Sequence, residues 1–193
     1  MMRIITGRAR GVRLNTLPGE GTRPTSERAK EAVFSMLQFD LQGQAVLDLF
    51  AGSGQMALEA ISRGASHAVL CDASSAAVGV IRANAEKTRL APMCRIVCTD
   101  WARLLQELSG RSRFGIVFLD PPYAKGYVPA ALEQLLRGDL LEPHAKIVCE
   151  TAEAEDVFQK NEALAAAFEI LRATRYGAAF VTVLTPKSQE DLT

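Results

Sequence analysis

The sequence predicts a single α/β domain built on a doubly wound, mostly parallel sheet of seven strands. From about residue 45 onward, short apolar runs alternate with amphipathic segments, which is the β-α-β pattern of a parallel sheet with helices on both faces. Two strand-like runs at the carboxyl end have no room for a crossover helix between them, so we expect an antiparallel hairpin there. With 193 residues, 48% of them hydrophobic, the chain is long enough for one substantial core.

Each predicted strand is an apolar run bounded by turn-forming residues. The strands of the parallel part fall near residues 45–50, 67–72, 93–99, 114–119 and 146–150. The helices fall near residues 26–39, 55–63, 75–88, 101–109, 128–137 and 154–166. The carboxyl-terminal hairpin comprises residues 168–175 and 179–184. The first helix is predicted to begin at a cap, Thr25 or Ser26, and to bury an apolar stripe of Ala29, Val33, Phe34 and Leu37.

The amino terminus predicts a small β-hairpin of residues 3–6 and 12–17. Alternation puts Val12 and Leu14 on one face and Arg13 on the other. Residues 1–30 hold seven basic and two acidic side chains, although the whole chain has a formal net charge of zero. A basic arm on a mildly acidic body indicates contact with nucleic-acid phosphates. The alternative is that these arginines are simply solvated.

Other features of the composition narrow the class of protein. The amino terminus lacks an apolar signal segment, and no run approaches the ~20 apolar residues of a membrane span, so we expect a cytoplasmic protein. The four cysteines and two histidines do not have the spacing of a zinc site, and no metal is expected. The cysteines lie in or beside strand-like runs, where we expect free, buried thiols.

The most informative motif is Asp120-Pro121-Pro122-Tyr123, which directly follows the predicted strand at 114–119. Open α/β sheets bind ligands at the carboxyl ends of their strands. A carboxylate and a backbone carbonyl that no helix uses can accept the two hydrogens of an exocyclic amino group, while an aromatic ring stacks on the base. The motif therefore predicts chemistry on the amino group of a nucleobase.

A glycine turn follows the strand at 45–50. Gly52 and Gly54 allow a sharp turn and a close approach of the backbone to a ligand. Asp72 ends the next strand, at the position where an acid binds ribose hydroxyls in dinucleotide folds. Taken alone, these residues also fit a nicotinamide-binding fingerprint.

Two further acids favour S-adenosylmethionine over a dinucleotide. Asp48 lies beside the glycine turn, where a carboxylate would repel a pyrophosphate and attract a cationic amine or sulfonium. Asp100 ends a third strand, and there it could accept from an adenine amino group. The alternative for each of these acids is a helix cap at the end of a strand.

Seven short motifs carry a family resemblance that spans residues 3–184. They are residues 3–7 (RIITG), 23–26 (RPTS), 48–54 (DLFAGSG), 58–60 (LEA), 62–65 (SRGA), 118–123 (FLDPPY) and 175–177 (RYG). The chain resembles the class I adenosylmethionine-dependent methyltransferases, and in particular the bacterial ribosomal RNA small-subunit methyltransferase D family. The resemblance implies a Rossmann-like methyltransferase sheet. It also implies methyl transfer to the N2 amino group of one guanine in small-subunit (16S) ribosomal RNA, within an assembling ribosomal particle.

The residues divide by predicted role, with catalysis assigned to Asp120, Pro121 and Tyr123. The predicted cofactor contacts are Asp48, Phe50, Gly52, Gly54, Asp72, Asp100 and Trp101. The predicted substrate contacts are Arg10, Arg13, Arg23 and Thr25. We expect residues 1–24 to form a substrate-binding extension and residues 25–193 to form the methyltransferase domain. Asp72 departs from the Glu usual in the family, and Trp101 replaces a residue that is usually small.

Several alternatives remain at this point. The Asp-Pro-Pro-Tyr motif also occurs in adenine-N6 methyltransferases, although the sequence-specific DNA enzymes generally carry added recognition elements. Glutamine-methylating enzymes usually have Asn at the position of Asp120. A nicotinamide oxidoreductase would leave Asp48 and the acceptor motif unused, and a non-catalytic RNA-binding module would not need that motif. The sequence has no heptad pattern or apolar stripe that would indicate an obligate dimer, so we expect a monomer.

Overall fold

The computed structural model describes residues 2–17, 27–122, 126–152, 157–177 and 179–187, and it confirms the predicted architecture. The strands in these ranges are β1 (Ala45–Asp48), β2 (His67–Asp72), β3 (Cys94–Cys98), β4 (Phe114–Leu119), β5 (Leu141–Thr151), β6 (Phe168–Tyr176) and β7 (Ala179–Pro186). The α-helices are α1 (Glu27–Met36), α2 (Gln55–Ser62), α3 (Ser75–Lys87), α4 (Trp101–Leu108), α5 (Tyr127–Arg137) and α6 (Glu162–Ala167). Among the helices of these ranges, none has the length and apolar character needed to cross a membrane.

The strands form one sheet in the order β3-β2-β1-β4-β5-β7-β6. Strands β1 to β5 run parallel, while β7 pairs antiparallel with β5 and with β6, as predicted for the tail. The chain first builds outward from β1 through β2 and β3, and then crosses to the other side of β1 to add β4. Sheets of this kind bind ligands at the carboxyl ends of the strands where the order reverses, which here are β1 and β4.

Successive residues of the central strands pack on opposite faces of the sheet, as the pleat requires. Val46 and Ile116 belong to a buried cluster with side chains of α1, α2 and α3. Leu47 and Val117 belong to a second cluster with side chains of α4, α5 and α6. The four residues predicted as the apolar stripe of α1 are all buried, whereas its predicted capping residues lie outside the described ranges. Because helices cover both faces, the strands can present functional groups only at their ends.

Three details of the sequence prediction were wrong. The strand predicted over 146–150 begins five residues earlier, at Leu141, and ends at Thr151. The helix predicted over 154–166 begins only at Glu162, because Gln159 and Lys160 adopt positive φ angles of 47° and 63°. Asn161 then caps α6 by accepting a hydrogen bond from the Leu164 N–H at 3.0 Å, a role that Asn favours. Among the cysteines, Cys94 is only half-buried and Cys98 is exposed, whereas all four were expected to be buried; these two are the first and last residues of β3, which lies at the edge of the sheet.

Residues 2–17, which we call the N-terminal arm, form the predicted hairpin in a reduced form. Arg3 and Arg13 pair through an isolated antiparallel bridge. Ile4 and Leu14 are buried in the cluster that contains α1, α2 and α3, whereas the Arg13 side chain is exposed. The alternation predicted for this segment is therefore confirmed, and the arm shares a hydrophobic core with the sheet.

A buried carboxylate attaches the arm to α2. Glu59 has no exposed surface, and it accepts hydrogen bonds from the backbone N–H groups of Ile5 at 2.7 Å and Thr6 at 2.9 Å. Its charge is balanced by Lys30, whose Nζ lies 3.4 Å away, and by Arg63, whose Nε lies 2.8 Å away. Buried charges require this kind of pairing and hydrogen bonding, so the arm is fixed to the body by a satisfied polar network.

Candidate active site

The glycine turn leads from β1 into α2, and its two glycines differ in the space around them. Gly54 adopts a φ of 78°, and a Cβ there would lie 3.2 Å from Ile81 and 3.3 Å from Leu70. Gly52 adopts a φ of 53°, but a Cβ there would meet no atom within 4 Å. Both positive φ angles favour glycine. The turn is therefore packed tightly on its inner side at Gly54 and faces open space at Gly52, where a ligand could approach the backbone.

Asp48 ends β1 and lies beneath this turn. Its side chain is buried, with 3% of its surface exposed. The pKa of Asp48 is raised to about 7, chiefly by burial and to a smaller extent by the charge of Asp72. Hydrogen bonds from the backbone N–H groups of Ala57 and Phe50 act in the opposite direction and lower the pKa. Ala57 belongs to the first turn of α2, where N–H groups lack partners within the helix. Asp48 therefore stabilises the turn by accepting hydrogen bonds from its backbone. Its predicted contact with a cofactor amine stays a prediction.

Asp72, at the end of β2, reaches across to the glycine turn. One carboxylate oxygen accepts a hydrogen bond from the Gly52 N–H at 3.0 Å, and the other accepts from the Ser74 N–H at 2.8 Å. The side chain is half-buried, so it lies between the turn and solvent. This location is compatible with the predicted contact to ribose hydroxyls. Because Asp is shorter than the Glu usual in the family, that contact would be made close to the turn.

Asp100 follows β3 and has the capping role considered as the alternative for these acids. One of its carboxylate oxygens accepts from the Ala102 N–H at 2.9 Å and lies 3.4 Å from the Arg103 N. The residue is exposed, and its second oxygen makes neither of these contacts. A cap and an adenine contact can therefore be made by the same carboxylate, and the adenine contact remains a prediction.

The three acids surround one buried thiol near the end of β2. The pKa of Cys71 is raised to about 12, chiefly by burial and then by the charges of Asp72, Asp100 and Asp48. The three acids thus act together on one position at the strand ends. Because Asp48 is buried and has a pKa near neutrality, Asp72 and Asp100 supply most of the charge that a ligand would meet. Together with the open space over Gly52, this charge fits a cationic cofactor such as S-adenosylmethionine.

Three aromatic rings form a cluster at the same edge of the sheet. The Phe50 ring lies nearly parallel to the Tyr127 ring, with an interplanar angle of 7° and centroids 6.0 Å apart. The Trp101 centroid lies 6.1 Å from that of Phe50 and 5.7 Å from that of Tyr127. All three side chains are half-buried. The structure thus brings together two predicted cofactor contacts, Phe50 and Trp101, and adds Tyr127. The sequence analysis missed Tyr127, and its nearness to the acceptor motif was the only signal that could have indicated it.

The acceptor motif lies beside the glycine turn because β1 and β4 are neighbours. Asp48 pairs with Phe118 in the parallel register, and the Leu49 N–H donates to the Phe118 carbonyl at 3.3 Å. Asp120 follows two residues later and is exposed, while Pro121 is buried. Adjacent strands are separated by about 4.8 Å, so both segments leave the sheet side by side. Tyr123 lies outside the described residues.

Two of the four predicted substrate contacts, Arg10 and Arg13, lie on the N-terminal arm. Arg10 and Arg13 are both exposed. Arg3, which is also exposed, pairs with Arg13 across the hairpin, so the two guanidinium groups originate from neighbouring positions. Arg23 and Thr25 lie outside the described residues, and their predicted roles stay predictions.

The sheet order, the glycine turn and the adjacent acceptor motif define an α/β methyltransferase of the Rossmann-like class. Residues 2–185 match the family described as conserved hypothetical protein 95. The chain belongs to this family, together with relatives named ribosomal RNA small subunit methyltransferase D. The family resemblance identified from the sequence is thereby confirmed.

The relatives cover most of the chain. The ribosomal RNA small subunit methyltransferase D of Haemophilus influenzae is 31% identical over 151 residues, which are 78% of each protein. That of Escherichia coli K12 is 33% identical over 150 residues, which are 78% of this chain and 74% of the relative. Among solved structures, YhhF of Escherichia coli has a TM-score of 0.82 at 28% identity, and the alignment covers 97% of this chain and 99% of YhhF.

Proposed function

We propose that this protein transfers a methyl group from S-adenosylmethionine to the N2 amino group of a guanine in small-subunit ribosomal RNA. The observation that carries the proposal is the adjacency of the glycine turn at Gly52 and the acceptor motif at Asp120, at the ends of two paired strands. A cofactor at the turn and a base at the motif would meet in one cleft. Membership of a family with ribosomal RNA methyltransferases supports the choice of substrate.

The cofactor would be held by groups on three strand ends. Asp72 would bind the ribose hydroxyls, Asp100 would accept from the adenine amino group, and Trp101 and Phe50 would pack against the adenine. The open face of Gly52 would leave room for the methionine portion close to the backbone. When bound, S-adenosylmethionine supplies an electrophilic methyl group on a sulfonium.

Asp120 and the Pro121 carbonyl would orient the target amino group. Each would accept one hydrogen of the guanine N2 group, which turns the nitrogen lone pair toward the methyl carbon. Positive charge develops on that nitrogen during transfer, so a fixed carboxylate stabilises the transition state more than the ground state. Asp120 or water would then accept the proton that the nitrogen releases. Tyr123 would stack on the base, a contact typically worth about 1–3 kcal/mol.

The N-terminal arm would bind the RNA outside this cleft. We assign residues 1–24 to a substrate-binding extension, in which Arg10, Arg13 and Arg23 contact phosphates and Thr25 contributes a polar contact. Residues 25–193 would form the methyltransferase domain, acting as a monomer on an assembling ribosomal particle. The target guanine must leave its stack, at a cost of a few kcal/mol that is smaller in a loop.

The decisive experiment uses small ribosomal subunits from cells that lack this gene. Incubation with methyl-labelled S-adenosylmethionine should label the RNA, and digestion should yield N2-methylguanosine at one position. Label in N6-methyladenosine would replace guanine with adenine as the target. A protein that binds S-adenosylmethionine but labels neither these particles nor the RNA extracted from them would contradict the proposal.

A further inference from the structure

The strongest unexplained feature is a buried asparagine in α3 that touches both the N-terminal arm and the glycine turn. Asn84 has no exposed surface. Its Oδ1 accepts from the Asn15 N–H at 2.8 Å, and its Nδ2 donates to the Asn15 carbonyl at 3.0 Å. The same Nδ2 donates to the Ser53 carbonyl at 2.8 Å. One amide thus binds both backbone groups of an arm residue and a carbonyl of the turn.

The turn makes a second, direct contact with the arm. Ser53, which lies between the two glycines, donates from its Oγ to the Sδ of Met2 at 3.1 Å. Met2 and Leu14 are in turn joined by a backbone hydrogen bond of 3.0 Å. Ser53 is buried, and Met2 is half-buried. The turn is therefore connected to both strands of the arm, through Met2 and through Asn15.

Because hydrogen bonds join the glycine turn to the N-terminal arm, a ligand that orders one of them should also order the other. The side chain of Asn84 binds three backbone groups, and its loss would leave the Ser53 carbonyl without this partner in a buried location and would release both backbone groups of Asn15. Asn15 also lies two residues after Arg13, an exposed and proposed RNA contact. A displacement of the turn would therefore be transmitted through Asn84 to the strand of the arm that carries Arg13.

We propose that Asn84 is a positioning residue that couples cofactor binding at the glycine turn to RNA binding by the N-terminal arm. The proposal rests on the proposed function for the identity of the two ligands. Coupling free energies between sites are reciprocal. The cofactor should therefore strengthen RNA binding, and RNA should strengthen cofactor binding by the same factor, for which we expect about fivefold.

The test compares Asn84→Asp with a matched control, Ser62→Ala. Asn84→Asp preserves the size of the side chain and the acceptor for the Asn15 N–H, but it replaces the donor with an oxygen that faces two carbonyls. Ser62 also binds the arm, accepting from the Ala9 N–H at 3.0 Å and donating to the Thr6 carbonyl at 2.6 Å. It lies at the far end of α2 from the turn, so its loss weakens an arm contact without touching Ser53.

The first measurement is hydrogen exchange of the arm amides with and without S-adenosylmethionine. In the wild type and in Ser62→Ala, saturating cofactor should slow exchange at Asn15 and Leu14 several-fold. In Asn84→Asp this protection should be lost, although the variant still binds cofactor at higher concentration. Equal protection in Asn84→Asp and the wild type would overturn the proposal, as would an equal loss of protection in both variants.

The second measurement is the affinity for small ribosomal subunits with and without S-adenosylhomocysteine, which prevents turnover. The wild type should bind about fivefold more tightly with this ligand, and Asn84→Asp should bind with the same affinity in both conditions. If Asn84→Asp does not fold, Asn84→Ser decides the question. This variant shortens the side chain and removes the amide that joins the Ser53 carbonyl to Asn15, without placing a charge there, and unchanged cofactor-induced protection of Asn15 would overturn the proposal.

The two proposals can fail separately. A protein that binds S-adenosylmethionine and protects its arm, yet does not methylate ribosomal RNA, would contradict the proposed function and leave the link between turn and arm intact. A protein that methylates RNA without any cofactor-dependent protection of the arm would contradict the coupling alone.

Discussion

The carboxylate of Asp72 accepts a hydrogen bond from the backbone N–H of Gly52 at 3.0 Å. This contact joins the end of β2 to the turn that follows β1, and a second hydrogen bond from the Ser74 N–H orients the same side chain. An acid that holds the turn in place is also positioned at the border of the proposed ligand space. The Asp72 carboxylate therefore helps to fix the conformation of the turn, and the turn helps to fix the position of the carboxylate.

Gly52→Ala should weaken cofactor binding by at least about tenfold, because the new methyl group would occupy the open space over the turn. Gly110→Ala is the matched control, since Gly110 also has a positive φ, 66°, and a Cβ there would also meet no atom within 4 Å. Both variants should lose about 1–2 kcal/mol of stability from backbone strain. Calorimetric titration with S-adenosylmethionine separates them, and equal affinities would contradict a ligand site at Gly52.

The buried carboxyl of Asp48 should make stability depend on pH. Its pKa is raised to about 7 in the folded protein from an ordinary value of 3.8, so the folded state favours the neutral form. The resulting cost is absent below about pH 4 and grows as pH rises to about 7, reaching up to about 4 kcal/mol at 1.36 kcal/mol per pKa unit. Asp48→Asn should not show this loss.

Chemical denaturation of both proteins at pH 4.5 and pH 7.5 measures this effect. The stability of the wild type relative to Asp48→Asn should fall as the pH rises, because the other carboxylates contribute equally to both proteins. A stability difference that does not change with pH would contradict the burial of an ionisable carboxyl at this position.

Glu59→Gln should destabilise the protein by about 3–5 kcal/mol, because it leaves Lys30 buried beside a neutral group. Glu107→Gln removes an ion pair with Arg95 whose side chains are half exposed, and this control should cost less than about 1 kcal/mol. Denaturant midpoints at neutral pH give the comparison. Similar small losses in both variants would show that the charge of Glu59 contributes little to the attachment of the arm.

Asp120→Asn should lower kcat for methyl transfer by about 10²–10³-fold, because the variant loses the negative charge that stabilises the developing positive nitrogen. Cofactor affinity should change less than twofold. Asp139→Asn is the control: it removes an exposed ion pair with Arg113, and Asn tolerates the φ of 52° found there. Single-turnover rates with ribosomal subunits should fall only for Asp120→Asn, and an undiminished rate would show that the negative charge of Asp120 does not stabilise the transition state.

Arg13→Gln should weaken binding to ribosomal subunits and reduce the slope of log affinity against log salt concentration by about 1. Arg137→Gln removes an equally exposed arginine from α5, which packs on the opposite face of the sheet from the arm. This control should leave the slope unchanged. Titrations at several salt concentrations decide the matter, and an unaltered slope for Arg13→Gln would remove this residue from the RNA interface.

Much of the fold could be predicted because each strand is a short apolar run that ends at a turn former. The strand predicted over 114–119 has the observed bounds of β4. The order of elements then places the strand ends that carry Asp48 and Asp120 at one edge of the sheet. The strand bounds follow from the local hydrophobic pattern, and the order of elements follows from the chain topology. This part of the site could therefore be predicted from the sequence.

The rest of the site depends on contacts between distant parts of the chain. Asn84 would be expected on the polar face of an amphipathic helix, yet it is fully buried because Asn15 and Ser53 supply its partners. Glu59 is likewise buried because Lys30 and the arm approach it from positions far away in the sequence. No periodicity distinguishes such residues from solvated ones, since their burial is decided by tertiary packing.

The way the arm is attached has a consequence for protein engineering. Its backbone is hydrogen-bonded to four side chains of the body, Lys30, Glu59, Ser62 and Asn84. Exchanging the arm for that of a relative would therefore require these four side chains to be transplanted with it. Deleting it would remove the backbone partners that Glu59 and Asn84 have in the arm and would uncover the apolar surface on which Ile4 and Leu14 pack, so residues 2–17 are integral to the stability of the molecule.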